Sequence, residues 1–178
     1  MHRELRDIAL PYLQDVLAVT GENVHLAVRD DLAALYVERI HGQHAVPVVS
    51  GTGARLPLHA TGVGKVLLAH APPEVLTAVI DGGMRRYTAY TVVAPGHLRR
   101  ALADVRRTGV AYAREEMSLG SLSVAAPVVG QEGTVVAALA VVLDQGRSNL
   151  RSLAPAVRTA AISTSRALQD RSRLTMPR

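Results

Sequence analysis

LSVAAPVV at Leu122–Val129 and TVVAALAVVL at Thr134–Leu143, joined by Gly130-Gln131-Glu132-Gly133, read as two β-strands closed by a short turn. Both runs are rich in valine and bounded by glycine, which favours extended chain over helix. A link this short cannot carry the chain back along a strand, so the pair must be antiparallel. Successive side chains of a strand point to opposite faces. Ser121, Ser123 and Ala125 therefore share one face of the first strand, and Ala138, Ala140 and Val142 share one face of the second. A sheet face of such small residues either packs tightly under a helix or leaves a cavity. The pattern supports both readings equally. Ser121 and Ser123 would add hydroxyl groups to apolar surroundings, as small-molecule pockets do.

The N-terminal half repeats the hairpin theme. Val24–Val28 and Ala33–Ile40 are extended runs separated by Asp30-Asp31, and Val46-Pro47-Val48-Val49 is expected as a short third strand whose proline favours an edge. Helical periodicity covers residues 3–20, where Leu5, Ile8, Ala9, Tyr12, Leu13, Val16 and Leu17 recur on one face. Pro11 is expected to kink this helix or to open a second one. Further helices are expected from about Gly62 to Ala69, from Pro72-Pro73 through Ile80, from Pro95 to Thr108 and from about Ser148 to Gln169. Val110–Ala113 enters another strand. Hairpins without regular strand–helix–strand units imply an α+β domain, an antiparallel sheet with helices packed on it.

Composition fits one such domain. The chain has 178 residues, 48% of them apolar, enough for a buried core and too apolar for wholesale disorder. We read residues 1–178 as a single domain, with 171–178 a frayed tail. No apolar run reaches the roughly 18 residues of a membrane span, and no signal peptide is evident. Absence of cysteine excludes disulfides, thiolate metal sites and cysteine nucleophiles, and fits a cytoplasmic protein. The net charge of +5 is carried by arginines, Lys65 being the sole lysine. They are dispersed except near the end (Arg147, Arg151, Arg158, Arg166, Arg171, Arg173, Arg178), where helical spacing suggests a solvated face rather than a DNA-reading one.

Familiar chemistries fail on inspection. Gly62-Val63-Gly64-Lys65 lacks the leading glycine and trailing hydroxyl of a phosphate loop, since His59 and Val66 stand there. Glu38, His41 and His44 fall at a strand end and turn, where they diverge rather than converge on a metal. Ser118, Ser121 and Ser123 have no nucleophile elbow, and sequence cannot bring His59 to them as a base. Glu115-Glu116, adjacent on an extended segment, would face opposite ways. No catalytic residue, metal site or cofactor is expected.

The other informative stretch is Leu56-Pro57-Leu58-His59-Ala60-Thr61-Gly62-Val63-Gly64-Lys65-Val66-Leu67-Leu68-Ala69. A capping threonine and two glycines open an apolar helix. The first N–H groups of a helix lack internal partners and carry the positive end of its dipole, so this terminus suits a carboxylate. Alternatively the glycines only permit close packing on the sheet. Spacing alone does not choose between the two.

That stretch is similar to the signature of the effector-binding domain of IclR-type transcription regulators. So is Gly109-Val110-Ala111-Tyr112-Ala113-Arg114-Glu115-Glu116, followed by Gly120 and Val124-Ala125-Ala126-Pro127-Val128. The resemblance runs from about Leu5 to Leu168. It implies a GAF-like fold with a central antiparallel sheet flanked by helices, a pocket for small metabolites that are often carboxylates or aromatic, and a homodimer or homotetramer. It implies ligand contacts from Gly62, Val63, Ala113, Ser121, Ser123, Ala140 and Val142, with Leu56 on the apolar wall. Small-oxoacid sensors of the family carry an acidic residue at the position of Ala113 and hydroxyls at those of Ala140 and Val142. Their replacement by apolar side chains favours an organic acid with an apolar or aromatic body. Family members also carry an N-terminal winged helix-turn-helix, which this sequence does not display, so contact with DNA is expected only through such a module. The competing functions are an enzyme acting on a small carboxylic acid in the same pocket and a pure oligomerisation module.

Overall fold

A computed structural model describes residues 2–43, 51–147 and 149–175. The chain opens with helix α1 (His2–Thr20), then strands β1 (Asn23–Asp30), β2 (Ala33–Ile40) and β3 (Arg55–Pro57). Three helices follow, α2 (Gly62–Ala69), α3 (Pro73–Asp81) and α4 (Pro95–Thr108). Strands β4 (Ala111–Arg114), β5 (Ser121–Val129) and β6 (Val135–Asp144) precede the final helix α5 (Ala154–Thr175). The six strands form one sheet in the order β3-β2-β1-β6-β5-β4. Every neighbouring pair is antiparallel.

Side-chain size sorts the two faces of this sheet. Leu122, Val124, Ala126 and Val128 of β5 and Leu139, Val141 and Leu143 of β6 join Leu13, Val16, Val157 and Ala161 in one core, beneath α1 and α5. Ala125, Ala138 and Ala140 face the other way and pack with Val63, Val66, Leu67, Leu98, Leu102 and Val105 of α2 and α4. The result is three layers, with large aliphatic side chains filling the α5 side and small ones drawing α2 close on the other. Helix α5 is tied over the end of the late hairpin by polar bonds. Val129 N–H donates to Ser165 Oγ (2.8 Å), and Gln169 Nε2 donates to the Gly130 carbonyl (3.0 Å).

Several expectations need correction. Pro11 neither splits the first helix nor starts a second; it is exposed within one continuous helix. The strand beside β2 is Arg55–Pro57, whereas the expected strand Val46–Val49 and His44 lie outside the described residues. Helix α5 begins at Ala154, after a 3-10 turn at Leu150–Leu153 whose Asn149 side chain accepts from the Arg151 N–H. Its expected start at Ser148 also lies outside the described residues. The tail stays helical through Thr175, and 176–178 are outside the described residues. Glu115 and Glu116 are not on a strand. They follow β4 in a tight connection where Glu115 takes a positive φ of 54°. No described helix is long and apolar enough to cross a membrane.

Candidate functional site

Helix α2 is buried along its whole length. Its first turn is built by Thr61, whose Oγ1 accepts from the Gly64 N–H at 3.0 Å and donates to the Pro57 carbonyl at 3.0 Å. Gly64 has to be glycine, since a β-carbon there would lie 2.6 Å from the Leu58 carbonyl oxygen. Gly62 makes a close approach of its own. A β-carbon at Gly62 would sit 2.7 Å from Ser123 Oγ and 3.4 Å from the Ala125 β-carbon. The helix N-terminus therefore lies directly against the small-residue face of β5, and the glycine permits that approach.

Beside this contact lies a narrow cavity of about 50 Å3. All eight residues singled out from sequence line it: Leu56, Gly62 and Val63 above, Ala113 on β4, Ser121 and Ser123 on β5, and Ala140 and Val142 on β6. Register explains the convergence, because Ala113 pairs with Ser123, Ser123 with Val142, and Ala125 with Ala140. Directly paired residues project from the same face.

The structure adds residues that sequence reading did not place at this pocket. His25, on β1, is paired with Ala140 and lines the cavity. It is 2% exposed, and its Nε2 is buried without a hydrogen-bond partner. Burial holds its pKa down at about 3, helped by the charges of Arg39 and His41, so the ring is neutral at physiological pH. Tyr36 of β2 meets it edge-on, with ring centroids 5.4 Å apart. Burial raises the Tyr36 phenol pKa, partly offset by its hydrogen bond with Thr61.

Glu116 closes another side of the cavity, together with Met117 and Ser118. Its Oε2 accepts from Lys65 Nζ at 2.6 Å and from the Arg114 N–H at 3.3 Å, while Oε1 is buried without a partner. Lys65 Nζ also donates to the Tyr112 carbonyl at 3.2 Å. The connection carrying Glu116 is itself pinned by Thr88 and Thr91, whose hydroxyls donate to the Glu115 and Glu116 carbonyls. A lone histidine in VHLAV and the sole lysine in an apolar helix were the available signals for these groups. Neither has a local pattern that says what it faces.

The histidine weighed as a base is elsewhere engaged. His59 Nε2 lies 2.9 Å from the Arg85 carbonyl oxygen, and its ring lies near Tyr87. His41 is exposed at the end of β2. Among the described residues no group of three or more His, Asp or Glu side chains is arranged to hold a metal ion.

Comparison with known proteins follows the same geometry. Residues 1–167 match the family described as bacterial transcriptional regulator IclR C-terminal. The chain is 34% identical over 169 residues to the HTH-type transcriptional regulator XynR of Escherichia coli, covering 93% of this chain and 67% of that protein. It is 32% identical over 142 residues to the E. coli transcriptional repressor IclR, covering 78% of this chain and 52% of that protein. The chain thus spans about half the length of the IclR repressor. A crystal structure of an IclR homologue from Microbacterium hydrocarbonoxydans complexed with 4-hydroxybenzoate superimposes with a TM-score of 0.90 at 33% identity, covering 94% of this chain and 69% of that one.

Proposed function

The chain belongs to the family of bacterial transcriptional regulator IclR C-terminal domains, and on that premise we propose that it senses a small organic acid and thereby controls DNA binding by a helix-turn-helix module of a cytoplasmic regulator. The observation that carries this reading is the cavity where the α2 N-terminus meets the small-residue face of β5 and β6. Backbone N–H groups at Gly62 and Val63 are free of intrahelical partners by position and suit a carboxylate. Ser121 and Ser123 supply hydroxyl groups, and Leu56, Val63, Ala113, Ala140 and Val142 supply apolar wall. Such a lining favours an acid with an apolar or aromatic body over a two- or three-carbon oxoacid. The 4-hydroxybenzoate held by the Microbacterium homologue is a ligand of that class.

Allosteric output follows from where the ligand sits. A ligand that binds one arrangement of α2 against the sheet better than another shifts the balance between them. Self-association into a dimer or tetramer is part of the same proposal, and the α1–α5 layer leaves Val19 and Ile162 exposed for it. The chain's relatives are named as transcriptional regulators and repressors. The rival reading, an enzyme using the same pocket, requires a base that activates a nucleophile. Among the described residues, His25 Nε2 receives no hydroxyl and His59 faces Arg85, so neither of these histidines activates a serine. A pure oligomerisation module would have no need of the cavity.

Isothermal titration should show benzoate-like acids binding more tightly than glyoxylate or pyruvate. Burying one aromatic ring contributes a few kcal/mol at about 25 cal/mol per Å2, less the ordering costs of association. Tighter binding of the small oxoacids would reverse the reading of Ala113, Ala140 and Val142. Val63 gives the matching control. It is 2% exposed and lines the cavity, so Val63→Phe fills the ligand's space. We expect affinity to fall at least about tenfold, with overpacking costing about 1–3 kcal/mol of stability. Unchanged affinity in a folded Val63→Phe protein would remove the ligand from this cavity.

A further inference from the structure

The cavity face of the sheet is almost entirely small. Ala125, Ala138 and Ala140 form its middle, and Ala27 and Ala34 extend it across β1 and β2. Two large side chains interrupt it, His25 and Tyr36, and together they form one end wall. An imidazole placed here by packing alone would be expected to have its nitrogens satisfied, because an unpaired polar group in a dry interior costs free energy that a leucine would not. Yet His25 Nε2 is buried with no partner while the ring lines the cavity. The opposite reference point is Gly62, seated over Ser123 and Ala125 of β5. Strand β5 is two positions from β1 in the sheet order. At 4.7–4.9 Å per strand this is about 10 Å between backbones. The α2 N-terminus and His25 therefore stand over strands on either side of β6, whose Ala140 lines the cavity between them.

We propose that His25 is a specificity-determining residue, whose Nε2 hydrogen-bonds a hydroxyl group at the end of the ligand remote from its carboxylate. The inference rests on the reading of this cavity as the site of an aromatic acid, and it narrows that class to ring-hydroxylated acids. The neutral imidazole can meet the hydroxyl as acceptor or donor according to its tautomer, and Tyr36 packs edge-on against the ring. A methyl group in the same place would fill the space and leave Nε2 unpaired. The site therefore discriminates between substituents of equal size by hydrogen bonding, which is the kind of selection a buried polar group performs well.

The test titrates the full chain with 4-hydroxybenzoate, 4-methylbenzoate and benzoate, in the wild type and in His25→Leu. The wild type should prefer the hydroxy acid to the methyl acid by about tenfold, one good hydrogen bond's worth. In His25→Leu that preference should shrink to near unity or invert. A preference that survives in His25→Leu, or is absent from the wild type while the acids still bind, overturns the role of His25 and leaves the aromatic-acid reading intact. Failure of all three acids to bind the wild type sinks both. Should His25→Leu not fold, nitrogen-15 NMR of the histidine rings in the wild-type protein decides instead. The His25 Nε2 resonance should shift on adding 4-hydroxybenzoate and not on adding 4-methylbenzoate. Equal shifts with both acids, or none with either, would reject the hydrogen bond.

Discussion

Replacing Lys65 with methionine should lower the free energy of unfolding by about 3–5 kcal/mol, the usual consequence of removing one partner from a buried ion pair. Lys65 is 4% exposed and Glu116 is 7% exposed, and their charged groups meet at 2.6 Å. Methionine has nearly the same shape, so lost packing is a small part of the effect. What remains is a Glu116 carboxylate inside the protein, with the Arg114 N–H its remaining neighbour on Oε2 and nothing on Oε1. The double replacement Lys65→Met with Glu116→Leu should recover most of the loss, because apolar residues of similar volume commonly match a buried pair. Urea denaturation of the wild type, both single variants and the double variant forms a complete cycle. A single-variant loss under about 1 kcal/mol, or simple additivity in the cycle, would mean that the pair is solvated and contributes like a surface bridge. Since Glu116 also lines the cavity, the stable double variant would reveal how much ligand affinity depends on that carboxylate.

Acid should destabilise the domain through His25. Its pKa falls from 6.5 to about 3 in the folded protein, chiefly by burial, with Arg39 and His41 adding like-charge repulsion. Tyr36 faces it from β2, and Glu116, paired with Lys65 of α2, lines the same cavity. Between those two pKa values the unfolded chain binds a proton that the folded chain refuses. The stabilising contribution of the neutral buried ring is thus fully present above pH 6.5 and is lost as pH falls towards 3. Each pH unit is equivalent to about 1.4 kcal/mol, so the loss from this group alone reaches roughly 3 kcal/mol at pH 4.5. Other groups titrate over the same range, so the informative quantity is a difference. The unfolding free energy of the wild type minus that of His25→Leu should decline with that slope between pH 6.5 and 4.5. Parallel pH profiles for the two proteins would show that His25 becomes protonated without opposition, hence that it is not buried in solution.

Local patterns carried much of this architecture. The late hairpin was legible because valine-rich runs flanking a glycine-bounded turn leave the chain little alternative. Helix α2 was legible from a capping threonine and an apolar run, and its bounds Gly62–Ala69 match the expected ones. The eight candidate pocket residues entered through family resemblance and the alternation of small residues, and alternation works because a strand's period of two is indifferent to tertiary context. Failures occurred where local rules compete. A proline inside α1 should interrupt it, yet Leu5, Ala9, Leu13 and Val16 remain buried along one face, and their burial outweighs one missing backbone bond. The strand beside β2 was read from a proline-flanked valine run at Val46–Val49, whereas RLP at Arg55–Pro57 has little strand character of its own. Residues Leu56 and Pro57 are extended because Ala34 and Ala33 on β2 offer them pairing partners.

By itself the sequence determined the fold class, the antiparallel pairing and the small-residue face, because these depend on periodicity and turn chemistry along neighbouring residues. It also determined that helix α2 would begin at Gly62 behind a capping threonine. Only the tertiary structure decided that Gly62 lies against Ser123 with a cavity alongside, since the distance between a helix and a sheet depends on every side chain between them. Only the tertiary structure joined Lys65 to Glu116, 51 residues apart, and turned an isolated histidine into a neutral, unpartnered ring on a cavity wall. Burial and the identity of nearby charges set a polar group's energy and protonation, and both come from residues distant in the chain, so no local pattern records them.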